Sequence, residues 1–339
     1  MFETQWLPFL EFALCLGILG YAGVQLSLYG DVIADKTGLG GTWVGMMMLA
    51  TVTSLPELVT GVTAVAGGDL PDIAVGDALG ACVFNLCIFV LLDLLHRGES
   101  LYRRSRPGHI LSASFGVLML AFIGFSILLS GGDGQPALGH VGFYTPVIVL
   151  MYAAAVRSVF RYESAHVAEF ADRGPDRRPD LSVRQAVLRY LAAALVVVGA
   201  GTWLPFIGER IAIGMGWQES FVGTVFIAVA TTVPELVVSV TALRIGALDM
   251  AIANLLGSNL FNMLVLAIDD LFYLRGPLFA HVAPSHAVSA LSAIMMTTLA
   301  IVGLFYRPDG RVLHTVGWTS IVVFVVYLLN TTVQFLYVP

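Results

Sequence analysis

The sequence predicts an all-α integral membrane protein of ten transmembrane helices, arranged as two inverted five-helix repeats with broken helices at mid-membrane. Of its 339 residues, 58% are hydrophobic and only 12% are charged, and the mean hydropathy is +0.86. Soluble proteins of this size do not have such a composition. The apolar residues fall into long runs, and a proline–glutamate string inside one run recurs 178 residues later.

Runs of about 20 apolar residues, bounded by charged residues or by Gly and Pro, mark the spans. The first run has no basic region before it and no cleavage site, so we interpret it as a span and not as a signal peptide. The predicted spans lie near 6–29, 41–66, 72–95, 109–130, 141–161, 184–208, 219–243, 248–272, 284–305 and 312–335.

The distribution of basic residues predicts the orientation. If the N-terminus lies outside, every Lys and Arg except Arg210 and Arg275 falls in or beside a connection on the cytoplasmic side. This bias predicts that both termini are outside, and we expect the cell membrane as the location. No basic patch with interleaved aromatics is present, so nucleic-acid binding is not predicted, and the lipid bilayer is the expected macromolecular environment.

Two halves of the sequence are related. A shift of 178 residues aligns Pro56-Glu57-Leu58-Val59 with Pro234-Glu235-Leu236-Val237, and a shift of 177 aligns Phe84-Asn85 with Phe261-Asn262. We divide the chain into a first five-span repeat (1–161), a cytoplasmic linker (162–183) and a second repeat (184–339). Because five is odd, the second repeat must enter the membrane inverted, an architecture typical of secondary transporters.

Each repeat places a glutamate directly after a proline, at Glu57 and Glu235. A carboxylate at bilayer depth costs roughly 3 kcal/mol or more to insert, so it indicates function by default. The proline has no N–H for the carbonyl four residues earlier, which frees backbone oxygens beside the acid. Carboxylates, freed carbonyls and Thr or Ser hydroxyls form a site suited to a hard cation. Kinked helices whose acids hydrogen-bond only for packing are the structural alternative.

The stretches 50–85 and 228–262 resemble the α-repeats of the calcium/cation antiporter superfamily, whose best-known members are the sodium/calcium exchangers. The resemblance rests on a Thr/Ser-x-Pro-Glu string followed by a Gly-Ser-Asn-x-x-Asn-like string. It implies that Glu57 and Glu235 bind Ca²⁺ and the competing ions. The further implied ligands are the carbonyls of Thr53, Thr231, Ala50 and Ala228, the hydroxyls of Ser54 and Thr232, and the side chains of Asn85, Ser258 and Asn262.

The sequence departs from the family pattern in three ways. It has Gly80-Ala81-Cys82 where Gly-Ser-Asn is usual, and both late positions are amides, although many members carry an aspartate in one of them. Asp77 stands where Asn is common, about 12 Å along a helix from Asn85. A vestibule ligand and an acid paired with a nearby polar group both remain open for Asp77. We interpret Asp93, Asp269 and Asp270, near span ends, as structural.

Two ionised glutamates carry a charge that one Ca²⁺ neutralises, and its departure leaves them buried unless two monovalent cations replace it. The sequence therefore predicts a secondary active antiporter that exchanges Ca²⁺ for Na⁺ by alternating access. Exchange of Ca²⁺ or another divalent cation for H⁺ is the alternative. A passive cation channel could use the same ligands, but the broken inverted repeats argue against it.

No cofactor is predicted besides the transported Ca²⁺ and Na⁺ or H⁺, and we do not expect an enzyme. The string Gly131-Gly132-Asp133-Gly134 faintly suggests an intramembrane aspartyl protease, but it has no partner aspartate at depth. No His-Glu-x-x-His string indicates a metalloprotease. The sequence does not determine the oligomeric state.

Overall fold

The computed structural model describes residues 6–37, 49–96, 101–104, 108–130, 137–166, 181–244, 248–307, 311–312 and 316–336. These residues are almost entirely helical, as predicted. The α-helices are α1 (Leu7–Thr37), α2 (described over 49–53), α3 (Leu55–Thr63), α4 (Pro71–Leu95), α5 (Leu101–Arg104), α6 (Gly108–Leu129), α7 (Tyr144–His166), α8 (Val183–Met215), α9 (Glu219–Phe221), α10 (Ala228–Thr231), α11 (Val233–Arg244), α12 (Leu248–Phe272), α13 (His286–Tyr306) and α14 (Trp318–Leu336).

Shorter elements connect these helices. In the part of the chain that the structure describes, two π-helical segments, Ala64–Gly68 and Val222–Ile227, continue the broken helices, and a 3₁₀ turn covers Leu278–His281. Two antiparallel hairpins of two-residue strands precede α7 and α14. They are formed by β1 (Ala137–Leu138) with β2 (Val141–Gly142), and by β3 (Arg311–Val312) with β4 (Val316–Gly317).

Seven helices of the described residues are long and apolar enough to cross a bilayer, and an eighth span results if the two parts of the broken helix from Glu219 to Arg244 are counted together. The predicted span 41–66 lies partly outside the described residues, and α7 is helical but is not one of the seven. The count of ten therefore stays a prediction. The division into repeats and linker also stays a prediction, because residues 167–180 lie outside the described residues and α7 continues to His166.

Local sequence sets where α8 and α4 begin. Ser182 and Gln185 form a capping box at α8: the Gln185 amide donates to Ser182 Oγ, and the Ser182 amide donates to Gln185 Oε1. These bonds satisfy amides that have no partner within the helix. Pro71 occupies the first turn of α4, where its missing N–H costs nothing and its fixed φ favours the helix.

Two buried aspartates at equivalent positions each hold a hairpin against the helix that follows it. Asp93 accepts hydrogen bonds from the amides of Leu101 and Gly317 and from Ser320 Oγ. Asp270 accepts the corresponding bonds, and it also accepts one from Tyr144 Oη. The other donors to Asp270 are the amides of Leu278 (2.7 Å) and Gly142 (2.9 Å) and the hydroxyl of Thr145. This repetition of contacts is what two packed copies of one structural unit produce, and it confirms the structural interpretation of both acids.

Asp269 differs from its neighbour, although the sequence predicted the same role. It is fully buried, and neither of its carboxylate oxygens has a hydrogen-bond partner among the described residues. Its oxygens lie beside Gly61, where a Cβ would come within 2.5 Å of Oδ2. No hydrogen bond among the described residues therefore supports a structural role for Asp269.

The contrast between these two acids gives a stability prediction. We expect Asp270→Asn to lower the free energy of unfolding by about 1–3 kcal/mol, because the new amide NH₂ faces buried donors that then lose their acceptor. Asp269→Asn, the matched control, should cause no loss, because it replaces an unpaired buried carboxylate by an uncharged group of the same size. Thermal unfolding of the purified variants in detergent checks both, and equal losses would contradict the assignment.

Glycines let α1 and α8, which pack along each other, approach the broken helices closely. α1 also packs on α11, and α8 on α3. A Cβ at Gly23 would lie 2.5 Å from Pro234 Cβ, and one at Gly201 would lie 3.1 Å from Val59 Cγ1. The two long helices therefore lie directly against the segments that carry the prolines.

Candidate cation-binding site

Both proline-containing helices are interrupted by a single residue, as the sequence predicted. α2 ends before Ser54 (φ −90°, ψ 12°), and α10 ends before Thr232 (φ −82°, ψ 1°), where the helix bends by 44°. Glu57 and Glu235 therefore lie in the first turn of a new helix, α3 or α11. The positive end of the helix dipole favours a carboxylate there.

The two interruptions exchange hydrogen bonds in a crossed pattern. Ser54 Oγ donates to Glu235 Oε1 at 2.9 Å, and Thr232 Oγ1 donates to Glu57 Oε1 at 3.4 Å. Ser258 Oγ on α12 also donates to Glu235 Oε1, at 3.3 Å. The hydroxyl of each repeat thus contacts the acid of the other, which brings both glutamates to one place in the interior.

The hydroxyl of Thr53 links its own broken helix to α12. Thr53 Oγ1 lies 3.3 Å from the carbonyl oxygen of Ala50, 3.3 Å from Asn254 Oδ1 and 3.4 Å from Ser258 Oγ. The resemblance pointed to the Thr53 carbonyl and did not include Asn254. The structure places the Thr53 side chain, together with the Ala50 carbonyl, beside two polar side chains of α12.

Thr231 has an equivalent environment on α4. Thr231 Oγ1 donates to Asp77 Oδ1 at 2.8 Å and lies 3.2 Å from the carbonyl oxygens of Ile227 and Ala228. Asp77 and Asn254 occupy equivalent positions of the two repeats. Each threonine therefore contacts a side chain of the opposite repeat, an amide in one case and a carboxylate in the other.

Of the two asparagines in the predicted site, only Asn85 has a side-chain hydrogen bond among the described residues. Asn85 Nδ2 donates to Asn259 Oδ1 at 2.9 Å, and Asn259 Nδ2 donates to the Cys82 carbonyl oxygen. Asn259 was missed by the sequence analysis, although it belongs to the string Gly257-Ser258-Asn259 that could have revealed it. Asn262 is buried, and neither of its side-chain polar atoms has a hydrogen-bond partner among the described residues.

Every predicted site residue is buried, none being more than 2% exposed. Several of their acceptor oxygens have no donor among the described residues: Glu57 Oε2, Glu235 Oε2, Asn85 Oδ1 and Asn262 Oδ1. None of the ion pairs recorded there involves either glutamate. The interior thus collects oxygen acceptors and carboxylates, and no basic side chain of the described residues forms an ion pair with the two glutamates, which fits a cation.

The donor set also indicates what kind of cation fits. Within the described ranges, no group of three or more His, Cys, Asp and Glu side chains is arranged to hold a metal ion. A cation here would be bound by two carboxylates together with neutral amide, hydroxyl and carbonyl oxygens. Such all-oxygen sites suit hard cations, and they do not suit the metals that prefer Cys and His.

Known proteins share both the sequence pattern and the fold. The pattern of the family described as sodium/calcium exchanger protein matches residues 7–160 and 186–333. An uncharacterized membrane protein of Methanocaldococcus jannaschii is 25% identical over 319 residues, which are 94% of this chain and 95% of that protein. The Ca²⁺/H⁺ antiporter ChaA of Bacillus subtilis is 23% identical over 297 residues, 83% of this chain and 82% of that protein.

A solved structure, that of the sodium/calcium exchanger from Methanococcus jannaschii, has the same fold. It matches with a TM-score of 0.63 at 21% identity, over 97% of this chain and 99% of that one. The family pattern covers most of the sequence in two segments, one in each predicted repeat. This chain is therefore an integral, multi-pass membrane protein that belongs to the sodium/calcium exchanger protein family.

Proposed function

We propose that this protein exchanges Ca²⁺ for Na⁺ across the cell membrane by alternating access. The observation that carries the proposal is the pair of buried glutamates, each contacted by a hydroxyl of the opposite repeat and each with one oxygen that has no donor among the described residues. Family membership supports cation antiport, and the family description supports the pairing of Na⁺ with Ca²⁺.

The glutamates are the proposed Ca²⁺ ligands. They supply up to four carboxylate oxygens, and the carbonyls of Thr53 and Thr231 raise the number to the six that Ca²⁺ requires at a minimum. Asn85, Asn262 and the hydroxyls of Ser54, Thr232 and Ser258 offer further neutral oxygens. Mg²⁺ holds its water more tightly and demands an octahedral shell, so a dehydrating site of this kind favours Ca²⁺.

Charge balance then requires exchange. When Ca²⁺ leaves, two ionised carboxylates remain in a region from which water is largely excluded, and this state is costly unless cations replace it. Two Na⁺ ions restore neutrality, and the carbonyls of Ala50 and Ala228 beside the threonine hydroxyls give them additional oxygen ligands. A protein with this site crosses between its two open states only when it is loaded.

The packing of α1 and α8 suggests how access could alternate. Both helices lie against the broken helices through glycine contacts at Gly23 and Gly201, and they pack along each other. Glycine has no side chain that could interlock with a neighbouring helix. Helices that meet at glycines can therefore slide past a fixed surface without rotamer changes. We propose that the α1–α8 pair slides against the site-bearing helices α3, α4, α11 and α12. Following the positive-inside bias, both termini face outward.

H⁺ is the second candidate for the coupling ion. One relative over most of the chain is a Ca²⁺/H⁺ antiporter, and Ala81 removes a hydroxyl that the family usually places in the first repeat. Fewer neutral oxygens beside the acids weaken Na⁺ binding more than they weaken protonation. The coupling ion therefore has to be tested directly.

The test is ⁴⁵Ca²⁺ uptake into proteoliposomes with an outward Na⁺ gradient, an outward H⁺ gradient, or neither. We expect uptake that requires the Na⁺ gradient and continues when the membrane voltage is clamped with K⁺ and valinomycin. Uptake driven only by the H⁺ gradient would assign H⁺ as the coupling ion. Uptake that is indifferent to both gradients would overturn exchange and indicate a channel.

A further inference from the structure

Asp269 is a buried acid that the two-glutamate mechanism does not use. Its side chain is fully buried, and neither carboxylate oxygen has a hydrogen-bond partner among the described residues. None of the ion pairs recorded for that part of the chain includes Asp269. A buried carboxylate is costly unless a partner balances its charge. The described residues therefore leave this carboxylate unbalanced.

The first repeat shows that packing does not require an acid at this position. A shift of 177 residues aligns Asp269 with Leu92, as it aligns Asp270 with Asp93. Leu92 is also fully buried, and it belongs to an apolar cluster. The fold thus fills the equivalent position of the other repeat with a hydrocarbon side chain. In the predicted inverted arrangement, the acid lies toward one face of the membrane and the leucine toward the other.

Asp269 lies beside α3, on the side of Glu57 that leads to the connection between α3 and α4. A Cβ on Gly61 would come within 2.5 Å of Asp269 Oδ2 and 2.7 Å of Oδ1. Gly61 follows Glu57 by four residues, which is about one helical turn or ~6 Å. Just beyond the end of α12, Arg275 pairs at 2.8 Å with Asp69 of that connection, and both side chains are exposed. Asp269 thus lies between an exposed surface and the first glutamate of the cation site.

A second buried carboxylate acts on Asp269 from α4. Asp77 has one oxygen, Oδ2, without a hydrogen-bond partner among the described residues. Of the charged groups recorded around Asp269, Asp77 acts on it most strongly. Two buried carboxylates repel each other, and a cation held between them relieves the repulsion. The second repeat is neutral at the equivalent place, where Asn254 Nδ2, at the position of Asp77, donates to Ser239 Oγ at 3.1 Å.

We propose that Asp269, with Asp77 as the second negative charge, forms a relay site that binds Ca²⁺ on its way to or from the two-glutamate site. The relay serves the membrane face that carries the α3–α4 connection, which is the predicted outer face. This inference rests on the proposed exchange function and extends it. A cation at Asp269 is one helical turn from Glu57, so it reaches the main site without crossing an uncharged apolar layer. In this structure α3 covers Asp269, and α8 holds α3 through the Thr60 hydroxyl, which donates to the Gly201 carbonyl oxygen at 3.4 Å.

The relay predicts an effect at one face only, because Leu92 offers no charge toward the other face. Charge of one sign along a cleft raises ion entry by about 10- to 1,000-fold, so Asp269→Asn should raise the half-saturating Ca²⁺ concentration at least ~10-fold at the outer face. The value at the inner face and the maximal rate should stay close to those of the wild type. Initial ⁴⁵Ca²⁺ uptake into right-side-out and inside-out vesicles of expressing cells, loaded with Na⁺, measures the two faces separately. Wild-type half-saturation at both faces, or an equal change at both, overturns the proposal.

Asp69→Asn is the matched control, because it removes a carboxylate from the same face at an exposed position. Asn tolerates the left-handed φ of 55° at this residue, and salt screens a charge that is exposed to water. At physiological ionic strength, its half-saturating Ca²⁺ concentration should equal that of the wild type. A rise like that of Asp269→Asn would mean that general surface charge attracts the ion, and the assignment to Asp269 would be wrong.

A second measurement reads Asp269 directly and does not depend on transport. N,N′-Dicyclohexylcarbodiimide labels carboxyl groups in apolar surroundings, and mass spectrometry of peptides locates the label. In the Glu57→Gln/Glu235→Gln protein, whose main site is disabled, we expect millimolar Ca²⁺ to slow the labelling of Asp269 at constant ionic strength. Labelling at the same rate with and without Ca²⁺ overturns the relay. A wild type without Ca²⁺ flux under any gradient would instead reject the proposed exchange, while this measurement would still test Asp269.

Discussion

Glu57→Gln and Glu235→Gln, made singly, are each expected to abolish Ca²⁺ exchange while leaving the protein folded. Glutamine keeps the size of the side chain and an oxygen that can accept from Thr232 or from Ser54. It removes one of the two charges that balance Ca²⁺. Loss of one partner of a buried charge pair costs about 3–5 kcal/mol, which corresponds to at least a ~100-fold loss of Ca²⁺ affinity.

Stability of the same variants separates this explanation from simple misfolding. Without cations, each glutamine removes an unpaired buried charge, so the midpoint of thermal unfolding should equal or exceed that of the wild type. Adding Ca²⁺ should raise the midpoint of the wild type but not of the variants, since only a bound ligand stabilises the folded state. Glu219→Gln, at the start of the same broken helix as Glu235, is the control that should keep both uptake and the Ca²⁺-induced rise. Uptake that survives in both glutamine variants would contradict the site.

The helix interruptions and their acids could be predicted from the sequence because their causes are local. Pro56 and Pro234 have no N–H to give the preceding turn, and each precedes a glutamate by one residue, so the pattern alone predicts a break beside a carboxylate. The repetition of this pattern in apolar runs then predicts that the two breaks meet. The structure confirms both interruptions and the contact between them.

The partners within the site could not be predicted in the same way, because they depend on how segments far apart in the sequence pack. Ser54 and Glu235 are 181 residues apart, and Thr231 and Asp77 are 154 apart. A side chain's type shows that it can donate or accept, but only the packing of α4 and α12 against the broken helices selects its partner. Asn259 is an example. Its sequence string could indicate a polar site residue, but it could not indicate the hydrogen-bond partner Asn85, which lies on another helix.

The aspartates near the span ends also separate what local sequence predicts from what only the packing of the helices decides. Asp269 and Asp270 are adjacent and have similar apolar flanks, so nothing in their local sequence separates them. Successive residues of a helix point about 100° apart, and here Asp270 meets the hairpin before α7 while Asp269 meets Gly61 of α3. Their different surroundings follow from the faces of α12, which only the packed structure defines.

Gly80→Ala is expected to destabilise the protein and to reduce transport strongly, because α4 lies against the backbone of the second broken helix at this glycine. A Cβ at Gly80 would lie 2.3 Å from the Thr224 carbonyl oxygen and 2.8 Å from Ala228 Cβ. Two backbone atoms of Thr224, its carbonyl oxygen and its Cα, are among the three nearest atoms, so no rotamer change can relieve the overlap. Overpacking of this kind typically costs about 1–3 kcal/mol, occasionally more, and the shift of α4 would displace both Asp77 and Asn85 from the site.

Gly116→Ala on α6 is the matched control for this substitution. A Cβ at Gly116 meets no heavy atom within 4 Å, and alanine is favoured over glycine in a helix by about 1 kcal/mol. Thermal unfolding and ⁴⁵Ca²⁺ uptake should therefore fall for Gly80→Ala and remain at or above the wild-type values for Gly116→Ala. Wild-type behaviour of Gly80→Ala would mean that α4 can move away from the Val222–Ile227 segment without disturbing the site. In that case close packing at Gly80 would not be what positions Asp77 and Asn85.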